Sequence, residues 1–149
     1  MNTRNDDEYY MRRALEEARA AARDGEIPVG AIVVDADGRI IGRGHNLTEK
    51  LRDVTAHAEM QALTAAALML DSKYLPQATL YVTLEPCLMC AGAIGWSQLG
   101  RLVIGAADPR RGYSVLCAGS PFHPRTEVVS GVLDDECRNI IIDFFKTKR

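Results

Sequence analysis

Two short segments hold the residue types that bind metals and move protons. One is Thr55-Ala56-His57-Ala58-Glu59. The other is Glu85-Pro86-Cys87-Leu88-Met89-Cys90, with 30 positions between His57 and Cys87. Thiolate sulfur and imidazole nitrogen are the usual ligands of zinc. Cys87 and Cys90 stand at i and i+3, so a helix starting there turns both sulfurs toward one ion. His57 supplies a third ligand. Three protein ligands leave a tetrahedral zinc one position for water, which is the catalytic arrangement; a structural site takes a fourth protein ligand. His45, His123, Cys117 and Cys137 are the other residues of these types, and none stands at a ligand-like spacing. Zinc lowers the pKa of its water toward neutrality, and a helix N-terminus favours the thiolate form. Inside a helix, His57 and Glu59 would point apart. The ion must therefore sit off the helix start, where Glu59 reaches the water without ligating the metal. A carboxylate so placed takes a proton from water and returns it to a substrate nitrogen. C-x-x-C alone reads equally as half a zinc site, a redox dithiol or coincidence; the pairing with H-x-E decides for catalytic zinc.

The surrounding chain must deliver those segments to helix starts. Residues 6–24 read as a helix, with Met11, Ala14, Leu15, Ala18 and Ala22 at helical spacing and Asp24-Gly25 as its stop. Residues 29–34 read as a buried strand, 35–38 as a turn and 39–43 as the returning strand of a hairpin. A polar loop over 44–54 leads to a helix over 56–70, capped by Thr55 or Asp53. Residues 78–84 are the clearest strand, and Pro86 suits the first turn of a helix running to about 97. A strand over 101–105, an irregular stretch over 106–126, a short strand over 127–130 and a helix over 134–147 complete the chain. The order α-β-β-α-β-α-β-(β)-α predicts an α/β fold, a mixed sheet covered by helices on both faces.

The chain of 149 residues, 47% apolar and 26% charged, reads as one domain over 1–149. A chain of this length buries roughly 70% of its unfolded surface and needs no disulfides. Cys117 and Cys137 accordingly read as small buried hydrophobes. No apolar run reaches the length of a membrane span, and the stretch MNTRNDDEYYMRR has no apolar signal region, so no membrane partner and a cytoplasmic location are expected. The net charge of -2 excludes gripping nucleic acid by bulk positive charge but allows a local patch. Residues 1–100 carry 10 basic and 14 acidic side chains, whereas 101–149 carry 8 and 6, with Lys146, Lys148 and Arg149 at the end.

H-x-E with P-C-x-x-C is the signature of the zinc nucleobase deaminases. Beyond it, the chain resembles the bacterial tRNA adenosine deaminases, the TadA family, over essentially its whole length. The stretches that carry the resemblance are Glu26–Ala31, Gly44–Asn46, Asp53–Glu59, Thr79–Cys87, Cys90–Ile94, Gly105–Asp108 and Asp143–Phe145 before a basic tail. The resemblance implies a cytidine-deaminase-like three-layer α/β/α sandwich with a five-stranded sheet and a homodimer. It implies one zinc ion per subunit, held by His57, Cys87 and Cys90. The substrate would be the wobble adenosine of a tRNA anticodon stem-loop, converted to inosine, with no DNA partner expected. Glu59 would be the proton shuttle. Asn46 would hydrogen-bond the flipped adenosine; Ile27, Val29 and Pro86 would help form the substrate pocket. Asp108 would lie near the ribose 2′-OH, and Phe145 or Phe144 would meet a loop base.

Blander readings stand beside these. Asn46 also suits a turn, Asp108-Pro109 a turn start, Ile27 and Val29 strand core, and Arg110-Arg111 a solvated loop. Phe144 and Phe145 point about 100° apart on a helix, so one is expected to be core. Trp96 reads as a buried helix-end or dimer contact. The family pattern is departed from at 117–125, which is short, and at His45, where some members carry an aromatic; both are expected to border the RNA. The alternative function is a deaminase of a free nucleobase or nucleoside, of guanine or cytosine type. A redox or structural C-x-x-C module is the reading from another class.

Overall fold

Side-chain alternation along the strands decides which helix covers which face. The structure is a computed structural model that describes residues 4–148, with side chains from residue 6 onward. Met1–Thr3 of the N-terminal stretch and Arg149 of the basic tail lie outside the described residues. The elements are α1 (Arg4–Arg23), β1 (Gly30–Val34), β2 (Ile40–His45), α2 (Thr48–Leu51), α3 (Ala58–Leu70), β3 (Thr79–Leu84), α4 (Leu88–Trp96), β4 (Arg101–Ala106), α5 (Tyr113–Leu116), β5 (Glu127–Ser130) and α6 (Asp134–Thr147). The strands form one sheet in the order β2-β1-β3-β4-β5. β1 runs antiparallel to β2 and β3, while β3, β4 and β5 are parallel.

Successive strand residues face opposite sides. Ala31, Val33, Leu80, Val82, Leu102 and Ile104 pack with α3 and α4. Ile32, Val34, Tyr81 and Val103 turn the other way and pack with α1 and α6. The result is the expected three-layer α/β/α sandwich on a five-stranded mixed sheet. On the α1 side a buried ion pair crosses the fold. Arg101 donates from both terminal nitrogens to the two oxygens of Asp7, at 2.8 Å each, and Tyr81 donates its hydroxyl to Asp7 at 2.9 Å.

The sheet gathers its loops at one end. Gly30 at the start of β1 pairs with His45 at the end of β2, and Leu84 pairs with Ala106 where β3 and β4 both finish. Residues 26–29, 46–57, 85–87 and 107–112 therefore leave the sheet side by side, outside the carboxyl ends of the parallel strands, where α/β folds bind ligands. The close approach of α3 to β2 depends on small residues. Ala58, Ala62 and Ala66 repeat every four positions along α3 and are fully buried. They face Gly42 and Gly44, where a Cβ would run into the carbonyl oxygens of Ala62 and Ala58.

Several boundaries differ from the expectation. Residues 44–54 and 106–126 are not wholly irregular, because each contains a four-residue helical turn, α2 and α5, too short to show a hydrophobic period. α3 is capped by neither Thr55 nor Asp53; His57 is its N-cap, in extended conformation. Asp53 instead accepts from the N–H and hydroxyl of Thr55, folding the loop before the helix. Pro86 lies outside α4, whose N-cap is Cys87. Asp24-Gly25 does stop α1, with Gly25 at φ 77°.

Gly44→Ala is expected to lower stability by about 2 kcal/mol, the ordinary cost of overpacking. It should also weaken zinc retention, because the displaced helix carries His57. Denaturant unfolding and metal analysis of the purified variant check both effects.

Candidate metal centre and active-site cavity

His57 and Cys87 hold equivalent posts: each is the N-cap of a helix on the same face of the sheet. His57 has φ -78° and ψ 156°, and Cys87 has φ -74° and ψ 175°. Extended backbone at a cap swings the side chain off the helix end instead of along its side. The histidine thereby meets cysteines from 30 positions further along the chain. Nδ1 of His57 lies 3.7 Å from Cys87 Sγ and 3.4 Å from Cys90 Sγ. Zinc at about 2.3 Å from sulfur and about 2.0–2.1 Å from nitrogen, with tetrahedral angles, places those atoms about 3.6 Å apart. The donor set fits the ion in type and spacing, with Nδ1 as the ligating nitrogen. Gln61 steadies this corner. Its side-chain amide donates to the carbonyl of His45 at 2.7 Å and to those of Ala56 and His57 at 3.2 and 3.3 Å.

The electrostatics favour a bound cation. Cys87 is held down to about 3, first by the hydrogen bond from the Cys90 thiol, then by His57; the backbone N–H of Cys90 adds to this. Cys90, as the donor in that pair and well buried, is pushed up. His57 is raised by its hydrogen bond to Cys87. Glu59 is almost fully buried, and burial drives its carboxyl up to about 7. A carboxyl poised near neutrality can both take and give a proton.

His57, Glu59 and Cys87 line the floor of a cavity of about 1280 Å³, larger than the roughly 300–1,000 Å³ of ordinary small-molecule clefts. Ile27, Val29 and Asn46 line one wall, and Asp108, Arg110 and Arg111 another. α6 closes a third side with Arg138, Phe145, Lys146 and Lys148. Asn46 serves the fold as well as the cavity. It donates to the carbonyl of Ile27 at 3.3 Å and accepts from the N–H of Thr48 at 3.2 Å. Asp108 likewise spends one oxygen on the N–H groups of Arg110 and Arg111. Phe145 lines the cavity, whereas Phe144 is half-buried under Lys148.

Some expected residues do not reach the cavity. Pro86 is buried behind the lining, because the cap falls one residue later than its helix-start reading required. His45 turns toward α1, where Nδ1 meets Glu17 at 3.0 Å, and does not line the cavity. The segment 117–125 is held elsewhere, with Phe122 packed edge-on against Tyr113. Trp96 is 85% exposed, so its buried reading is wrong. Cys137 is buried as expected; Cys117 is half-buried. Sequence reasoning missed Gln61 and two buried glutamates. Glu26 accepts from the N–H groups of Glu49 and Lys50 at 3.1 and 2.8 Å, fastening α2 to the Ile27 wall. Glu85 does the same for the opposite wall.

A closed structural zinc site needs a fourth protein ligand. Among the described residues no other His, Cys, Asp or Glu joins His57, Cys87 and Cys90. The fourth side instead faces a cavity with a buried, proton-accepting Glu59 beside it, and on this sheet that defines a zinc-dependent deaminase. The chain belongs to the cytidine and deoxycytidylate deaminase family, whose zinc-binding region matches residues 4–106. It is 46% identical to the tRNA-specific adenosine deaminase of Bacillus subtilis (strain 168), over 96% of this chain and 91% of that one. The corresponding enzyme of Haemophilus influenzae is 48% identical, over 96% and 85%. A solved structure from work on A-to-I editing by tRNA:A34 deaminases superposes with a TM-score of 0.81 and 43% identity, covering 89% of this chain and 98% of that one. A guanine deaminase from Nitrosomonas europaea follows at 0.76 and 29%, covering 92% and 83%.

The Glu59 carboxyl supplies a test in metal-free protein. An ordinary glutamate loses its proton near 4.5, and the folded chain holds it to about 7. The stabilising contribution is thus complete below about 4.5 and lost as pH rises through about 7. Glu59→Gln does not titrate. Between pH ~5 and pH ~8 it is expected to gain about 3 kcal/mol on the wild type in denaturant unfolding. Parallel pH profiles for the two proteins would sink the assignment.

Proposed function

We propose that the protein is a tRNA-specific adenosine deaminase, converting the wobble adenosine, position 34 in the related enzymes, to inosine with release of ammonia. The observation that carries this reading is the cavity itself. Its floor holds the deaminase centre, and its rim carries Arg110, Arg111, Arg138, Lys146 and Lys148. A free base has no phosphate for such cations to meet; an RNA loop has several. Arg138 also pairs with Asp134 and Asp135; the other four cations form no ion pair among the described residues. A rim of this size grips one loop and stays compatible with a net charge of -2. The likeness to a guanine deaminase supports the free-base alternative and makes it the rival to test.

Zinc supplies Lewis acidity and makes water a nucleophile near neutral pH. The chain's residues do the rest. The unpaired anticodon base enters the cavity at low cost in lost stacking. Ile27 and Val29 pack against the purine, and Asn46 uses its remaining amide capacity on the base edge or ribose. Water adds to C6. Glu59 takes the proton released by that water and passes it to N1; it then carries the proton of the new C6 hydroxyl to the amine, which departs as ammonia as the C6 carbonyl forms. Backbone N–H groups at the start of α4 orient the developing oxyanion. Asp108 presents its second oxygen to the 2′-OH, which selects RNA over DNA. Phe145 stacks beside a loop base.

The same reading includes a homodimer in the cytoplasm. α3 and α4 cover one face of the sheet and expose Leu68, Met69, Leu88, Met89 and Trp96, apolar side chains of the kind that mark an interface.

Two outcomes are expected. Glu59→Ala should keep zinc and fold while losing inosine formation by at least about a hundredfold; mass analysis of treated tRNA reads the product, and turnover of free guanine or cytosine alone would reject the tRNA reading. Trp96→Glu should shift sedimentation from dimer toward monomer, and an unchanged dimer would move the interface off these helices.

A further inference from the structure

Glu85 directly follows β3, two residues before the ligand Cys87, and it is 7% exposed. One carboxylate oxygen accepts from the backbone N–H of Asp108 at 3.0 Å. The other accepts from the N–H of Ser114 at 2.9 Å and from its hydroxyl at 2.5 Å. One side chain thus holds both ends of the 108–114 loop. The loop closes around it: the N–H of Gly112 donates to the Asp108 carbonyl at 3.1 Å, and that of Tyr113 to the Pro86 carbonyl at 2.9 Å. Asp108 in turn holds the N–H groups of Arg110 and Arg111.

Gly112 is an independent sign that this carboxylate is built in. Its φ of -61° and ψ of 147° suit any residue, so glycine is not there for its backbone freedom. A Cβ at this position would run into the Glu85 carboxylate and the Asp108 carbonyl. The loop leaves the space that the carboxylate fills.

We propose that Glu85 is a positioning residue for the nucleic-acid substrate. It pins the loop so that Asp108, Arg110 and Arg111 stand at the cavity mouth, and it acts on RNA only through them. This rests on the reading of the substrate as an RNA loop. A carboxylate is required because all three donors to it are N–H or O–H groups. Glutamine, of the same size, offers one acceptor oxygen and would turn an NH₂ group toward one end of the loop.

Zinc-loaded wild type, Glu85→Gln and Gly112→Ala are compared on an anticodon stem-loop. Gly112→Ala crowds the same contact from the loop side and leaves Glu85 in place. Both variants are expected to raise KM about tenfold with kcat within about twofold, as for lost uniform binding. The salt dependence of binding should become shallower by about one to two, the change expected when one or two arginines leave phosphates. Zinc content should match the wild type. An unchanged KM and salt slope in either variant overturns the role given to Glu85. So does loss of zinc from Glu85→Gln, which would make it a support for the metal ligands. A wild type that turns over free bases or nucleosides but not the stem-loop overturns the RNA reading, and the positioning role falls with it.

Discussion

The metal centre depends on how closely α3 can lie on β2. Two glycines on the strand and an alanine stripe on the helix remove the side chains that would hold them apart. The helix start then comes down at the open end of the sheet, where His57 meets the start of α4. His57 and Cys87 are each presented from an extended N-cap, and Cys90 from the first turn of α4, so the spacing of the ligand atoms is set by the placement of two helix ends. Helix ends also carry free N–H groups and positive partial charge, which suit thiolates. Packing and electrostatics therefore make the same demand on the same residues.

Among the described residues four carboxylate side chains are buried, and they divide by what surrounds them. Asp7 is bound by Arg101 and Tyr81; Glu26 and Glu85 are satisfied by N–H and O–H donors from loops. Those three hold parts of the fold in place. Glu59 faces thiols and an imidazole, and burial leaves its charge state open near neutrality. The fold thus holds its walls with carboxylates fixed by hydrogen-bond donors and keeps another, Glu59, for the proton chemistry. Glu26 and Glu85 stand on opposite sides of the cavity, so its two walls are secured by the same device.

The layers, the five strands and the ligand set were legible because each has a repeating or signature pattern: alternation in 78–84, helical spacing in 6–24, H-x-E with P-C-x-x-C. The helical turns at 48–51 and 113–116 were not, since four residues hold no period. Pro86 misled because a proline suits both the first turn of a helix and the residue before its cap; the extended backbone demanded of Cys87 chose the second. His45 was expected at the RNA because it adjoins Asn46, but neighbouring residues at a strand end point to opposite faces, and Glu17 holds its ring on the far one. The glutamates at 26 and 85 escaped notice because their partners are backbone N–H groups, which leave no trace in residue identity.

The Asp7–Arg101 pair joins residues 94 positions apart. Contacts of such separation stabilise the fold only once the entropy of closing the chain between them has been met. On a ribosome, α1 emerges before β4, so its buried acid cannot meet Arg101 until β4 has been made. His57, Cys87 and Cys90 all precede Arg101 in the chain. α1 is thus made before β4 but locked to it only afterwards, and the residues of the centre are all in place along the chain before that lock can close.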